Sequence, residues 1–328
     1  MASGAIPLLI RRMLLVPILV FAVMALSYAL THAAPGDPVK IIAGARDIEP
    51  ERAQQIREEF GLEGNYVERF ARYVWGVVSR GDLGPSYYYR SPVRSVQELL
   101  GERIWVSAQI NLIVMGLVFG LGIPLGVYAA VHRGRWQDPA LIAALKVFDS
   151  IPSPIFIVLI AVLMVNGLAG FFNFLGFNVP NVWTPGDPAS YIIPVLALTL
   201  PSIGGMARFV RVSALSTMDD DYVRTARAKG LTERSILYGH VLRNAMLPLS
   251  TVFGLSIVGI IGGSIIIETA YGVPGVGQFV FQSITQRDFN VILGFTLLTA
   301  TLFIVVNALI DVLYIFIDPR IRFTARFS

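Results

Sequence analysis

The sequence predicts an all-α polytopic membrane protein with six transmembrane helices. Hydrophobic residues make up 55% of the 328 residues, charged residues make up 15%, and the mean hydropathy is +0.65, well above that of ordinary soluble domains. Six separate apolar runs lie near the roughly 20 residues that a helix needs to cross about 30 Å of hydrocarbon. The chain has no Cys, which excludes disulfides, thiolate metal sites and thiol catalysis.

The six apolar runs are expected to form the spans in chain order. Their limits are 13–31, 105–131, 150–171, 190–207, 246–267 and 291–317. The first follows Arg11 and Arg12 and is too long for the apolar core of a signal peptide, so we expect a helix that is not cleaved. The third is the least regular, because Pro152 and Pro154 stand near its start.

Small residues indicate where the second and fifth runs approach other helices. Gly116 and Gly120, and then Gly122 and Gly126, stand four residues apart, and such pairs favour close backbone contact in a membrane. The fifth run is rich in Gly and Ser, which suits either tight packing or the lining of a pathway.

Basic residues predict that both chain ends are cytoplasmic. With a cytoplasmic N-terminus, the inside segments carry fifteen Lys and Arg residues, whereas the two short outside loops carry one, Arg287. The net charge of +4 therefore indicates basic cytoplasmic loops and not nucleic-acid binding.

The outside segment at residues 33–103 is predicted to form a small extracytoplasmic domain between the first two spans. It contains two amphipathic helical patterns, at residues 49–62 and 66–78. The second pattern places these residues on one face: Val67, Phe70, Ala71, Val74 and Val78. The domain either caps the outer mouth of the helices or docks an extracytoplasmic partner. The chain thus divides into residues 1–32, 33–103 and 104–328.

Few polar residues interrupt the apolar runs, and a charge at membrane depth is costly. They are Gln109, Asn111, Asn166, Glu268, Asn307 and Asp311. For Asp311, near the cytoplasmic end of the last run, we expect an ion pair with Arg208 or Arg211.

Residues 216–245 are strongly charged and helix-prone although they lie between two apolar runs. Acidic residues at 219–221 begin a pattern that ends at Gly230, with basic residues toward its end, which complements a helix dipole and supplies a C-cap. Thr232 is a candidate N-cap of a second helix, and Pro248 is expected in the first turn of the following span.

This pattern predicts a helix-turn-helix hairpin on the cytoplasmic side. A connection of this length is unusual without a function of its own. Ala226 and Ala228 around Thr225 leave a thin helix face, which suits insertion into a groove on another protein.

The stretch DYVRTARAKGLTERSILYGHVLRNAMLP, residues 221–248, resembles the cytoplasmic EAA motif of ABC importer permeases, and more narrowly their dipeptide and oligopeptide branch. Further matches are PGDP (35–38), RGDLG (80–84), SIPSPIF (150–156), GGSIIIETAYGVPGVG (262–277) and DPRIR (318–322). Together they are specific for the branch, whereas only the block at residues 225–230 is strong by itself.

The resemblance implies the type I ABC importer permease fold, as a B-type subunit in a bacterial or archaeal plasma (inner) membrane. It also implies alternating access driven by partners: a second homologous permease, two ATP-binding subunits and an extracytoplasmic substrate-binding protein. The residues that it assigns to ATPase coupling are Asp220, Asp221, Tyr222, Val223, Arg224, Thr225, Ala226, Arg227, Ala228, Lys229 and Gly230.

The same resemblance places a translocation pathway between the two permeases. The residues expected to line the path or its gate are Gln109, Asn166, Ser264 and Glu268. Because the sequence has no GxxxxGK[ST] loop, we expect no ATP hydrolysis and no cofactor in this chain, with Mg-ATP in the partner subunits.

Two positions depart from the general motif. Arg224 stands where the wider superfamily commonly has Glu, and Arg243 stands where a Pro often follows the second helix. A carboxylate at the first position could accept a charge-assisted hydrogen bond from an ATPase, and a cation cannot, so the docking electrostatics must differ.

Several alternatives stay open at this point. The branch also includes importers of nickel complexes and oligosaccharides, so peptides are the leading expectation for the cargo and not the sole one. A secondary transporter would be expected to show inverted repeats and charges near mid-membrane, and an enzyme would need a catalytic constellation in the spans. The sequence shows neither pattern clearly.

Overall fold

The computed structural model of the chain describes residues 5–33, 36–44, 48–90, 92–163, 172, 174–176, 178–180 and 182–317. The elements are α1 (Ala5–Ala33), α2 (Pro38–Ala43), α3 (Pro50–Glu59), α4 (Tyr66–Arg80), β1 (Pro85–Arg90), β2 (Val93–Ser95), α5 (Val96–Val131), α6 (Gln137–Asp149), α7 (Ser153–Val162), α8 (Ile192–Met218), α9 (Asp221–Ala228), α10 (Glu233–Ile236), α11 (Leu242–Gly262), α12 (Ile265–Tyr271), α13 (Val276–Gln286) and α14 (Phe289–Ile317). A 3-10 turn at Pro188–Tyr191 precedes α8, and a π turn at Leu237–Val241 joins α10 to α11.

Within these residues, five helical segments are long and apolar enough to cross a membrane. They are Leu14–Ala33, Val96–Val131, Pro188–Met218, Pro248–Tyr271 and Phe289–Val312. A sixth span is reached if α6 and α7, which meet at a bend of 96°, are counted as one broken span. The predicted run at 150–171 therefore differs from the structure, because the helical segment begins earlier, in α6, and breaks before α7. The predicted residues 164–171 lie outside the described part of the chain.

The described residues separate into two compact units. The first consists of those in Met1–Val106 and Pro274–Ile315, and the second of those in Ser107–Val273. The helix α5 contributes its first turns to the first unit and its remainder to the second.

In the first unit, α3 and α4 confirm the two amphipathic helices predicted after the first span. The helix α4 begins with a capping box between Asn65 and Glu68 and ends at Gly81, whose φ of 65° provides a left-handed C-cap. Its buried face differs from the predicted one. Phe70, Val74 and Val77 pack against the core of this unit, whereas Val67 and Val78 are each 70% exposed.

A short β-hairpin and a buried carboxylate connect distant parts of the first unit. The hairpin of β1 and β2 was not predicted. Ser86 donates from its hydroxyl to Asp288 Oδ2, and the backbone N–H of Tyr88 donates to the same oxygen over 3.2 Å. Asp288 is 1% exposed, so these donors compensate for the burial of its carboxylate.

In the second unit, α5 packs on α8 through one of the two predicted glycine pairs. A Cβ added to Gly122 would lie 2.6 Å from Met206 Cγ, and one added to Gly126 would lie 2.5 Å from the carbonyl oxygen of Ala207. Gly116 and Gly120 have no atom within 4 Å of the corresponding position. The prediction of close helix contact is therefore confirmed for Gly122 and Gly126, whereas among the described residues no other helix approaches Gly116 or Gly120.

Ion pairs connect α8 to α6 within the second unit. Arg211 donates from Nε to Asp138 Oδ1 and from a terminal nitrogen to Oδ2, each over 2.6 Å, in the bidentate geometry that favours Arg over Lys. Arg208 forms an ion pair with Asp149. Both arginines thus have carboxylate partners in α6, and the predicted ion pair of one of them with Asp311 stays a prediction.

Candidate functional site

The charged segment after α8 forms the predicted hairpin. Asp220 precedes α9 in an extended conformation, and Gly230 follows it with a φ of 79°. Thr232 then caps α10, because its side chain accepts a hydrogen bond from the backbone N–H of Ser235 over 3.3 Å. The predicted positions of the turn and of the second N-cap are therefore confirmed.

One face of α9 is held by the membrane helices of the same unit. Val223 is fully buried and Ala226 is 5% exposed. They share a hydrophobic cluster with Ala130 near the end of α5, with Ala214 of α8, and with the second arm of the hairpin through Ile236 and Val241. The position of the hairpin is thus fixed by contacts with the ends of α5 and α8.

The opposite face of α9 is open. At about 100° per residue, Asp221, Thr225 and Ala228 lie on the side away from Val223 and Ala226, and all three are exposed. One residue of the predicted exposed face is therefore wrong: Ala226 is buried against α5 and α8 of the same chain. The face that another protein could contact is formed by Thr225 and Ala228 with the acidic Asp221.

Charged residues surround the hairpin. Arg227 donates from Nε to Glu233 Oε1 over 2.8 Å, which joins α9 to α10 and holds the pKa of the Glu233 carboxyl below its usual value. Arg133 pairs with Asp219 over 3.1 Å. Arg224, the residue that departs from the general motif, has 70% of its side chain exposed and lies 3.6 Å from Asp221.

The second arm of the hairpin continues directly into the next span. From Glu233 to Gly262 the chain is helical throughout, with the π turn between α10 and α11. Pro248 lies inside α11 and not in its first turn, so the prediction that Pro248 opens this helix is wrong, although the apolar membrane-spanning segment does begin there. The π turn lies about two to three turns before Pro248.

Replacing Gly230 by Val is expected to destabilise the turn of the hairpin. A φ of 79° is costly for a β-branched residue, by about 1–3 kcal/mol of the free energy of unfolding. The space around the position is open, so the cost comes from the backbone and not from a clash. Limited proteolysis of the hairpin in detergent would measure it.

Gly230→Asn provides the matched control, because Asn tolerates left-handed conformations. We expect Gly230→Asn to be cleaved at nearly the wild-type rate and Gly230→Val to be cleaved faster. Equal protection of both variants would contradict this account of the turn.

The second unit also contains an apolar groove between α5, α8 and α11. Its volume is about 450 Å³. The polar lining residues are Asn111, Ser202 and Ser256, and Gly205 and Gly259 leave room beside them. The spacing SxxG occurs on both α8 and α11, as Ser202 with Gly205 and as Ser256 with Gly259. This repeat is visible in the sequence, but the groove was not predicted from it.

Three of the residues predicted for the pathway, Gln109, Ser264 and Glu268, lie elsewhere in this unit. Tyr191 donates from its hydroxyl to Gln109 Oε1. Glu268 Oε1 accepts from Ser107 Oγ over 2.7 Å and from the backbone N–H of Ser264 over 3.0 Å, and its side chain is fully buried. None of these residues lines the groove, and Asn166 lies outside the described residues.

Apolar helices long enough to cross a membrane, a groove among three of them and a hairpin with one open face are features expected of a membrane-spanning transport protein, a permease. The sequence matches the model of the binding-protein-dependent transport system inner membrane component over residues 122–323. The N-terminal model of the same transport systems matches residues 5–94. The chain therefore belongs to the family of inner membrane components of binding-protein-dependent transport systems, as the sequence predicted.

Similar proteins cover almost the whole chain. The dipeptide transport system permease protein DppB of Escherichia coli (strain K12) is 36% identical, over 96% of this chain and 98% of its own. The oligopeptide transport system permease protein OppB of Haemophilus influenzae is 32% identical, over 92% and 95%. A chain of the inward-facing MetNI methionine ABC transporter is 20% identical, over 65% of this chain and 95% of its own, with a TM-score of 0.50. This last likeness confirms the ABC importer permease fold.

Proposed function

We propose that this chain is the permease subunit that forms half of the translocation pathway of an ATP-driven importer of dipeptides and oligopeptides. The observation that carries the proposal is the two-sided hairpin: Val223 and Ala226 hold it to the ends of the spans, and Thr225 and Ala228 are open on its other side. A partner that binds the open face can therefore displace α5, α8 and α11 through the buried face.

ATP-binding partners would supply the energy. In this proposal two ATP-binding subunits, which carry Mg-ATP, dock on the hairpin at residues 219–245 through the open face of α9, while this chain holds no cofactor and hydrolyses nothing. Closure of the ATPases would change the relative populations of inward-open and outward-open states, because only a ligand with different affinities for two states shifts their equilibrium. The fifteen basic residues of the inside segments support a cytoplasmic hairpin with both chain ends on that side.

The groove between α5, α8 and α11 is our candidate for this chain's half of the pathway. A second, homologous permease would complete it, and a binding protein would deliver cargo to residues 33–103 on the outside. Asn111, Ser202 and Ser256 offer a few hydrogen-bonding groups on a mainly apolar wall, which suits cargo with varied side chains. The names of the DppB and OppB relatives support peptides as that cargo.

Enlarging the open face of α9 tests the coupling role. We expect Ala228→Trp to lower ATP-driven uptake of a labelled dipeptide by about tenfold or more, which corresponds to at least about 1.4 kcal/mol. The exposed position should leave the thermal stability of the chain unchanged. The measurement uses proteoliposomes that contain the complete transporter, with ATP hydrolysis recorded in parallel.

Ser235→Trp is the matched control, because Ser235 is exposed on the second arm of the hairpin. It should transport at the wild-type rate. Undiminished uptake with Ala228→Trp would refute the role of this face, and uptake of oligosaccharides or nickel chelates in place of peptides would refute the cargo assignment alone.

A further inference from the structure

The first unit contains a basic and aromatic cavity that is separate from the hairpin and the groove. Its volume is about 210 Å³, and it lies among the C-terminal end of α1, α4 and the loop before β1. Three arginines of α4 line it: Arg69, Arg72 and Arg80. Tyr28 and His32 line it from α1.

Two hydrogen-bond donors in this cavity have no acceptor. Arg69 Nε and the Tyr73 hydroxyl are buried, and neither has a hydrogen-bond partner among the residues that the structure describes. Arg69 and Tyr73 stand four residues apart on α4, so their side chains are neighbours on one helix face. Burial raises the pKa of Tyr73 to about 12, so its hydroxyl keeps its proton at neutral pH. Buried donors without acceptors are rare in native proteins, so an ordered water or a ligand is expected to supply the acceptors here.

The charge around the cavity favours an anion. One carboxylate, Asp82, lines the cavity together with the three arginines. Its Oδ1 already accepts a hydrogen bond from the backbone N–H of Gly84 over 2.9 Å. Arg72 donates to the carbonyl oxygen of Glu63, which uses part of its guanidinium. The remaining guanidinium donors suit the oxygens of a phosphate, which Arg binds with charge-assisted hydrogen bonds.

The position along α1 indicates where that phosphate comes from. Tyr28 and His32 belong to the last turns of the apolar segment Leu14–Ala33, where a membrane span reaches the headgroup layer. On the same helix as the arginines, Trp75 is 70% exposed, and Trp is enriched at membrane interfaces. We propose that this cavity binds the phosphodiester of an anionic phospholipid and so fixes α4 at the membrane surface.

Lipid titration of the full-length chain in neutral detergent tests this site, with native mass spectrometry as the readout. The probes are short-chain phosphatidylglycerol, short-chain phosphatidylcholine and inorganic phosphate. We expect phosphatidylglycerol to bind most tightly. Arg69→Met should weaken its binding by about tenfold, and Tyr73→Phe should weaken it severalfold, because each variant removes one of the unsatisfied donors.

Arg57→Met is the matched control, since Arg57 is an exposed arginine of α3 outside the cavity, and it should bind lipid like the wild type. Tyr73→Phe keeps the ring and removes a hydroxyl that has no hydrogen-bond partner among the described residues, so it tests the site without loss of a described contact. Equal phosphatidylglycerol binding by the wild type, Arg69→Met and Tyr73→Phe would overturn the proposal. So would inorganic phosphate binding as tightly as the lipid, or displacement of the lipid by a dipeptide.

Discussion

Replacing Gly126 by Ala is expected to destabilise the second unit by about 3 kcal/mol of the free energy of unfolding, at the upper end of typical overpacking costs. The added Cβ would lie 2.5 Å from the carbonyl oxygen of Ala207 and 2.6 Å from Val210 Cβ. Because the first neighbour is backbone, α5 and α8 would have to move apart. Unfolding by SDS in mixed micelles would measure the loss.

The other glycines of α5 provide graded controls. Gly122→Ala should also be destabilising, since the added Cβ would lie 2.6 Å from Met206 Cγ and 2.8 Å from Met206 Cβ, which is fixed to the backbone of α8. Gly120→Ala meets nothing within 4 Å and should be neutral or stabilising by up to about 1 kcal/mol, because Ala has the higher helix propensity. Similar losses at Gly120 and Gly126 would contradict the packing described for this helix.

Replacing Glu268 by Ala is expected to cost about 3 kcal/mol of the free energy of unfolding, since burying a polar group without its partner costs about 1–3 kcal/mol. The backbone N–H of Ser264 and the hydroxyl of Ser107 would both lose Glu268 Oε1 as their acceptor. The change would also leave a cavity at a site that is 2% exposed. The same micelle unfolding experiment applies.

Glu268→Gln separates hydrogen bonding from charge. Gln keeps an acceptor oxygen at the same place, so we expect a loss of about 1 kcal/mol, the usual net value of a hydrogen bond. A loss with Gln as large as that with Ala would show that the negative charge, and not the acceptor, stabilises this site.

The sequence was most informative where local chemistry decides the structure. The length of the apolar runs predicted the spans. The acidic residues at 219–221 and Gly230 predicted the limits of the first helix of the hairpin, and Thr232 predicted the start of the second. These features depend on neighbours in the chain: a dipole, a positive φ and an N-cap hydrogen bond all act within one or two turns. For the same reason the sequence resemblance located the hairpin before any contact was known.

The incorrect predictions concern contacts between distant residues. Ala226 and Ala228 are the same residue type and both closely follow Thr225, yet only the packing of α9 on Ala130 and Ala214 decides which of them is buried. The pathway role of Glu268 stays a prediction, but the hydrogen bond that it accepts from Ser107, 161 residues away, could not be read from a charge in an apolar run. The groove depends on three helices meeting, and no single-helix pattern encodes that meeting.

The continuous helix from Glu233 to Gly262 has a mechanical consequence. About 30 residues at 1.5 Å each form a rod of about 45 Å, longer than the hydrocarbon layer is thick. A tilt of about 10° imposed at the hairpin would carry the far end of a rigid rod of that length sideways by about 8 Å. The π turn and Pro248 interrupt the regular hydrogen-bond ladder of this helix, so they are the positions at which bending would absorb such a stroke before it reaches the opposite membrane face.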